Sequence, residues 1–349
     1  MKTERVYKWD NVKFILILLV IAGHFADNLY GYSWCKTIFL AVYLFHMPAF
    51  FFIAGLFSKK TVNADRLDPL KIVPFFLTGI LVNFLSYYVR LLTSGSATFY
   101  FIWRNQIGWY LFAYAVMYIL TWLLRKVRHS YVLVVSLFLM LFAGLDETVG
   151  SFLAVSRIIT FFPVFYAGYI LEEDKARSFL DRAAVKICSV GILAAYCVFV
   201  YLKTDLLAQY RGIITGNINY VDVLGERYLS GIPARIIFYI IMILVIAALC
   251  SVMPSRKIPF ISYGGSNTMP VYFFHLPCVR VLLLIEPFRQ LLSHGGKTGI
   301  IVVLVSSLIM IFVFTLPPFV KFMDLIMRPR PAVPVSQTSE NKKKLWVCH

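Results

Sequence analysis

Apolar residues in this chain run in long, unalternating stretches, with short polar clusters between them. The runs over 12–26, 70–85, 187–202 and 236–250 approach or reach the length that a helix needs to cross a hydrocarbon core of about 30 Å. Lipid offers backbone N–H and C=O groups no partners, so such runs are helical, and they lack the alternation of a membrane barrel. The pattern predicts an all-α, polytopic membrane bundle of about ten transmembrane helices, over 12–30, 37–57, 70–92, 107–124, 130–147, 154–171, 184–202, 234–253, 268–286 and 299–326. The first run follows Lys2, Arg5 and Lys8, as a signal peptide would. It holds His24 and Asp27, has no clean small-residue cleavage site and precedes nine further spans, so it reads as a retained helix.

Composition agrees with this reading. The 349 residues are 60% hydrophobic and only 15% charged, too few charges to clothe a soluble domain. A net charge of +17 would suggest nucleic acid in a soluble protein, but here topology explains it and no nucleic-acid partner is expected. An even span count puts both termini on one side. If that side is cytoplasmic, 23 of the 34 lysines and arginines fall on or beside inner segments and 11 lie outside or near outer ends, as the positive-inside rule requires. The expected location is therefore the plasma membrane, multi-pass, with cytoplasmic termini. Residues 1–327 form the membrane domain. The segment 328–349, with Pro329, Pro331, Pro334 and Lys342 to Lys344, reads as a basic, disordered cytoplasmic tail. The longest outer segment, 203–233, is a loop or small lid. Six cysteines without paired spacing indicate neither a disulfide framework nor a metal site.

Ionisable groups at membrane depth are expensive, so each is a functional candidate. His24 lies roughly 18 Å up the first helix from its inner end, and His46 in the descending second span roughly 16 Å up, at similar depth. Lys13 precedes His24 by eleven residues, close to three helical turns, so both share one helix face. That face suits a site that holds an anionic donor at the cytoplasmic end and a titratable group deeper in. The alternatives are a snorkelling lysine and a packed histidine. Trp9 and Asp10 sit at the inner interface, where Asp10 reads as a helix cap. His46 lies in Phe45-His46-Met47-Pro48, where Pro48 predicts a kink. His275 repeats the His-x-Pro pattern in Phe274-His275-Leu276-Pro277. Arg157 opens the sixth span on the outer side, to reach an acceptor oxygen or to snorkel. Arg90, Arg104, Gln106 and Trp109 also gather at outer ends. Trp109 and Tyr110 read as aromatic-belt residues, with a sugar platform as the alternative for Trp109. Gly264-Gly265-Ser266 reads as a hinge. No phosphate-binding glycine loop, HExxH or GxSxG motif is present.

The run from Lys8-Trp9-Asp10-Asn11-Val12-Lys13 to Gly23-His24 resembles the opening of the acyltransferase 3 family of integral membrane O-acyltransferases, in which a basic residue and a histidine recur at this spacing. Phe45-His46-Met47-Pro48 through Phe52-Ile53-Ala54-Gly55, Gly108-Trp109-Tyr110-Leu111, Phe162-Pro163-Val164-Phe165-Tyr166-Ala167-Gly168 and Ser262-Tyr263-Gly264 to His275 match in order. Lys13 stands where the family often has arginine, which keeps the charge but loses the planar fork, and Ala54 where it usually has serine. The likeness is strongest to the branch called fucose 4-O-acetylase and related acetyltransferases. It implies transfer of an acyl group, usually acetyl from acetyl-CoA, to a hydroxyl of a cell-surface or lipid-linked carbohydrate. His24 would be catalytic, as general base or as covalent relay, with the base favoured. Lys13 would assist with the donor, and His46, Arg157, Trp109 and His275 would bind substrate. Acetyl-CoA enters as the acyl donor, with no permanently bound cofactor. The partners are that donor, a sugar or lipid-linked glycan acceptor and the bilayer. The second reading is a transporter or flippase of a small polar or glycolipid substrate, since buried ionisable groups also mark transport routes. A third, a glycan polymerase or ligase, would need a larger basic outer loop.

Overall fold

The computed structural model describes residues 6–99, 107–150, 152–293 and 295–328. Arg104, Gln106 and the tail beyond Arg328 lie outside the described residues. Among the described residues the chain is helical, without strands. α1 (Lys8–Asn28) is the first span, and α2 (Ser33–Tyr43) with α3 (His46–Val62) forms the second. The kink expected at Pro48 falls just before it, at Leu44–Phe45, because a proline has no N–H to bond the carbonyl four residues back. There follow α4 (Val73–Ser94), α5 (Trp109–Leu124), α6 (His129–Phe142), α7 (Val155–Ile170), a short α8 (Glu173–Leu180) and α9 (Ala183–Leu202). The predicted loop or lid folds into α10 (Thr204–Gln209), α11 (Arg211–Thr215) and α12 (Tyr220–Leu224). α13 (Gly231–Val252), α14 (Pro259–Ser266), α15 (Thr268–Leu284), α16 (Glu286–Ser293), α17 (Gly296–Phe314) and α18 (Pro317–Met327) complete the chain.

Among the described residues seven helical segments are long and apolar enough to cross a membrane, and α15 with α16, bent by 97°, makes an eighth when the bent pair is taken as one span. Two shorter apolar helices, Trp109–Leu124 and His129–Leu145, occupy the remaining two of the ten predicted spans. The tenth span differs from expectation, since the helix stops at Phe314 and Pro317 and Pro318 open α18 after a turn. Prolines suit a first helical turn and cannot continue the preceding ladder.

α1 is the inside helix. In its most apolar window 72% of residues are buried, against 17% in α9, which faces outward. It packs on α2, α3, α14, α15 and α17. Close approaches are made where side chains vanish. A Cβ on Gly265 would lie 1.7 Å from the Asp10 carbonyl oxygen, so the expected hinge at Gly264-Gly265-Ser266 is instead a helical contact of α14 on α1. α3 and α7 touch backbone to backbone at Gly55 and Gly168, where added Cβ atoms would stand 2.0 Å and 2.2 Å from the Phe165 and Phe52 carbonyl oxygens.

Polar side chains lock the N-terminal end of α1. The Lys8 ammonium donates to Asp181 at 3.1 Å and to the Met253 carbonyl at 2.8 Å, and Trp9 Nε1 donates to Glu173 at 2.7 Å. Asn11 donates to the carbonyls of Pro254 and Arg256. Asp10 is not the cap. It lies inside the first turn, where an acid suits the helix dipole, and the N-cap position belongs to Tyr7, which makes no side-chain cap bond.

Candidate functional site

At the opposite end of α1 the bundle opens into a cavity of about 650 Å³, within the range of small-molecule sites. α1 contributes His24 and Asp27 to its wall, α2 contributes Tyr43, α3 His46, α5 Trp109, α7 Arg157 and α15 Tyr272 and Arg280. The segment over α10 to α12 closes part of it with Gln209, Arg211, Thr215 and Asn217. What reads in sequence as a loop is therefore one wall of the site. Its attachment is polar: Arg211 donates to Asp27 Oδ1 at 2.5 Å while stacking over Tyr30 and Phe39, and the Ser156 hydroxyl donates to the Gly216 carbonyl at 2.8 Å.

Three histidines gather here. His24 Nδ1 lies 3.3 Å from the Tyr43 hydroxyl, and the Tyr43 ring is held by stacking on Phe39. Gly23 leaves room for that tyrosine, since a Cβ there would come within 3.1 Å of its ring. His46 Nδ1 lies 2.7 Å from the Val42 carbonyl, four residues back. His275 Nδ1 lies 3.1 Å from the Val271 carbonyl, also four residues back, and 2.8 Å from that of Tyr272. A carbonyl only accepts, so in both rings Nδ1 carries the proton and Nε2 keeps a lone pair. The repeated His-x-Pro pattern thus yields a repeated geometry. The His275 ring is fully buried behind His24, with centroids 5.1 Å apart, and its Nε2 has no hydrogen-bond partner among the described residues.

Cations line the same space. The Arg157 guanidinium lies 4.2 Å over the Trp109 ring, and its buried Nε has no hydrogen-bond partner among the described residues. The Gly108 N–H, just before Trp109, donates to Asn83 Oδ1 at 2.9 Å, and Gly108 packs on the Gly79 carbonyl, which seats the start of α5 on α4. Two left-handed residues, Leu153 at φ 47° and Ala154 at φ 54°, lead into α7 just before Arg157. Such a pair costs on the order of 1 kcal/mol per residue, and strain of this kind concentrates at functional sites.

Four of the sequence-predicted residues, His24, His46, Trp109 and Arg157, share this cavity. His275 does not line it and instead touches His24 from behind. Lys13 stands apart, three turns down α1, paired with Asp10 at 2.9 Å. Tyr43, Asp27, Arg280 and Arg211 belong to the site without having been singled out for it. Asp27 was legible, three residues past His24 on the same face, and so was Arg280 as an arginine inside an apolar span. Arg211 was not, because nothing periodic in 203–230 says where that segment folds.

The chain is 25% identical over 329 residues to the nodulation protein NolL of Sinorhizobium fredii, an alignment covering 86% of this chain and 84% of that relative. No solved structure matches it. The family profile described as "acyltransferase domain" matches residues 6–319, which takes in α1 with His24, every helix of the cavity wall and the segment that closes it. With that match over a bundle whose helices are long and apolar enough to cross a membrane, the chain belongs to the acyltransferase 3 family of multi-pass membrane acyltransferases.

Proposed function

We propose that this cavity transfers an acetyl group from cytoplasmic acetyl-CoA to a hydroxyl of a cell-surface or lipid-linked carbohydrate, in the plasma membrane and with both termini cytoplasmic. The observation that carries the reading is His24. It is an imidazole on the innermost helix, open to a polar-walled cavity, with a tyrosine hydroxyl at Nδ1 and the unpartnered Nε2 of His275 behind it. As general base, His24 takes the proton of the acceptor hydroxyl while that oxygen attacks the thioester carbonyl. The new C–O ester bond forms, the C–S bond breaks, and the thiolate receives the proton back from the imidazolium. The His275 lone pair lies beside the ring that becomes charged in between, and Tyr43 holds its orientation.

Beside the main cavity lies a second void of about 40 Å³, room for only a few water molecules, lined by Ile17, Val20, Met47 and Tyr272, the last three of which also border the main cavity. Ile17 stands one turn above Lys13 and Val20 one turn below His24, so this void traces the face that joins them. A donor entering from the Lys13 end would pass along this face, with Lys13 exchanging Asp10 for a donor phosphate. Arg157, His46 and Trp109 then serve the acceptor. The resemblance to the fucose 4-O-acetylase branch supports a sugar hydroxyl as acceptor.

The test is acetyl transfer from labelled acetyl-CoA in membranes carrying the wild-type chain or His24→Ala. Loss of a general base lowers turnover by about 10²-fold or more. Equal O-acetylation of the surface glycan by both would refute the assignment.

A further inference from the structure

The cavity wall carries more positive charge than it balances. Arg157, Arg211 and Arg280 line it, and Asp27 is the one carboxylate among the lining residues. Arg211 is engaged by Asp27 at 2.5 Å. Arg157 stacks on Trp109 and keeps an unpartnered Nε, while Arg280 gives one N–H to the Ser86 carbonyl at 3.3 Å. Neither Arg157 nor Arg280 has a carboxylate at ion-pair distance among the described residues. A guanidinium does not shed its proton, and its planar fork matches the paired oxygens of carboxylate or phosphate. Two such groups facing a cavity at membrane depth, neither held at ion-pair distance by a carboxylate among the described residues and with Asp27 already committed to Arg211, form a receptor for an anion. A neutral sugar would leave both unbalanced.

We infer that the acyl acceptor is an anionic saccharide, whose carboxylate or phosphate is held by Arg157 and Arg280 so that a hydroxyl is presented to His24. This rests on the reading of the cavity as the acyl-transfer site. The donor also carries phosphates, so the test separates the two sources. Purified protein in nanodiscs, with no acyl donor present, is titrated with glucose 1-phosphate, glucuronic acid, glucose and coenzyme A. The readout is Trp109 fluorescence, taken as the difference from Trp109→Phe, because Arg157 lies against that ring.

The expected result is saturation by the two acidic sugars about tenfold or more tighter than by glucose, weakened about tenfold in Arg157→Gln and in Arg280→Gln. Asp27→Asn removes the carboxylate and tightens binding several-fold, a gain that misfolding cannot produce. Glucose binding as tightly as the acids, saturation by coenzyme A alone, or no saturable response to any of the four overturns the inference. Acyl transfer is read separately, in the His24→Ala comparison, so failure of this binding leaves that result standing, and the converse holds.

Discussion

An imidazole in the interior of a bilayer persists where neighbouring groups satisfy it, and around His24 those neighbours are specific. Tyr43 reaches its Nδ1, and His275 stands with a free lone pair 5.1 Å from it, centroid to centroid. Their contributions are separable by conservative substitution. Tyr43→Phe keeps the Phe39 stack and removes one neutral hydrogen bond, worth ~1 kcal/mol, so turnover should fall about fivefold with little change in KM. His275→Gln should likewise lower kcat more than KM, since the residue touches His24 and not the cavity. If either change raises KM and spares kcat, the residue binds substrate directly and the orienting role is wrong.

Between helices, contact is governed by where glycine lets backbones meet. Gly168 on α7 faces the Phe52 carbonyl of α3, and a side chain there must push the two helices apart. Because α3 begins at His46 and α7 carries Arg157, that shift would reach the site. Gly168→Val should destabilise the protein by about 3 kcal/mol, seen as a lowered Tm in detergent. Gly191 on α9 has no atom within 4 Å of an added Cβ, so Gly191→Val should leave Tm nearly unchanged. Similar Tm values for the two variants would show that the α3–α7 approach is not a constraint.

Across the whole molecule the polar site lies at one end of the bundle and the Lys8, Trp9 and Asn11 lock at the other. The proposed orientation makes the lock cytoplasmic and the α10–α12 segment external. In a cysteine-free background, Tyr228→Cys should react with an impermeant maleimide on intact cells, and Lys175→Cys only after permeabilisation. The reverse pattern would invert the topology.

The sequence by itself determined the class of fold, because apolar runs of bilayer length admit one backbone solution and their number can be counted. It also marked His24, His46 and Arg157, since charge or polarity is conspicuous in an apolar span, whereas Trp109 read first as an aromatic-belt residue and entered the site only through the family resemblance. Tertiary structure alone decided what meets what. Helical periodicity orients a residue about its own axis but does not say which helix lies opposite, so His275 was placed with substrate though it backs His24. Lys13 shares a face with His24 yet stands outside the cavity, because a common face spans the full depth of the membrane. Arg211 joins the wall through a polar segment whose path follows from its bonds to α1 and α7, which are long-range contacts with no local signature.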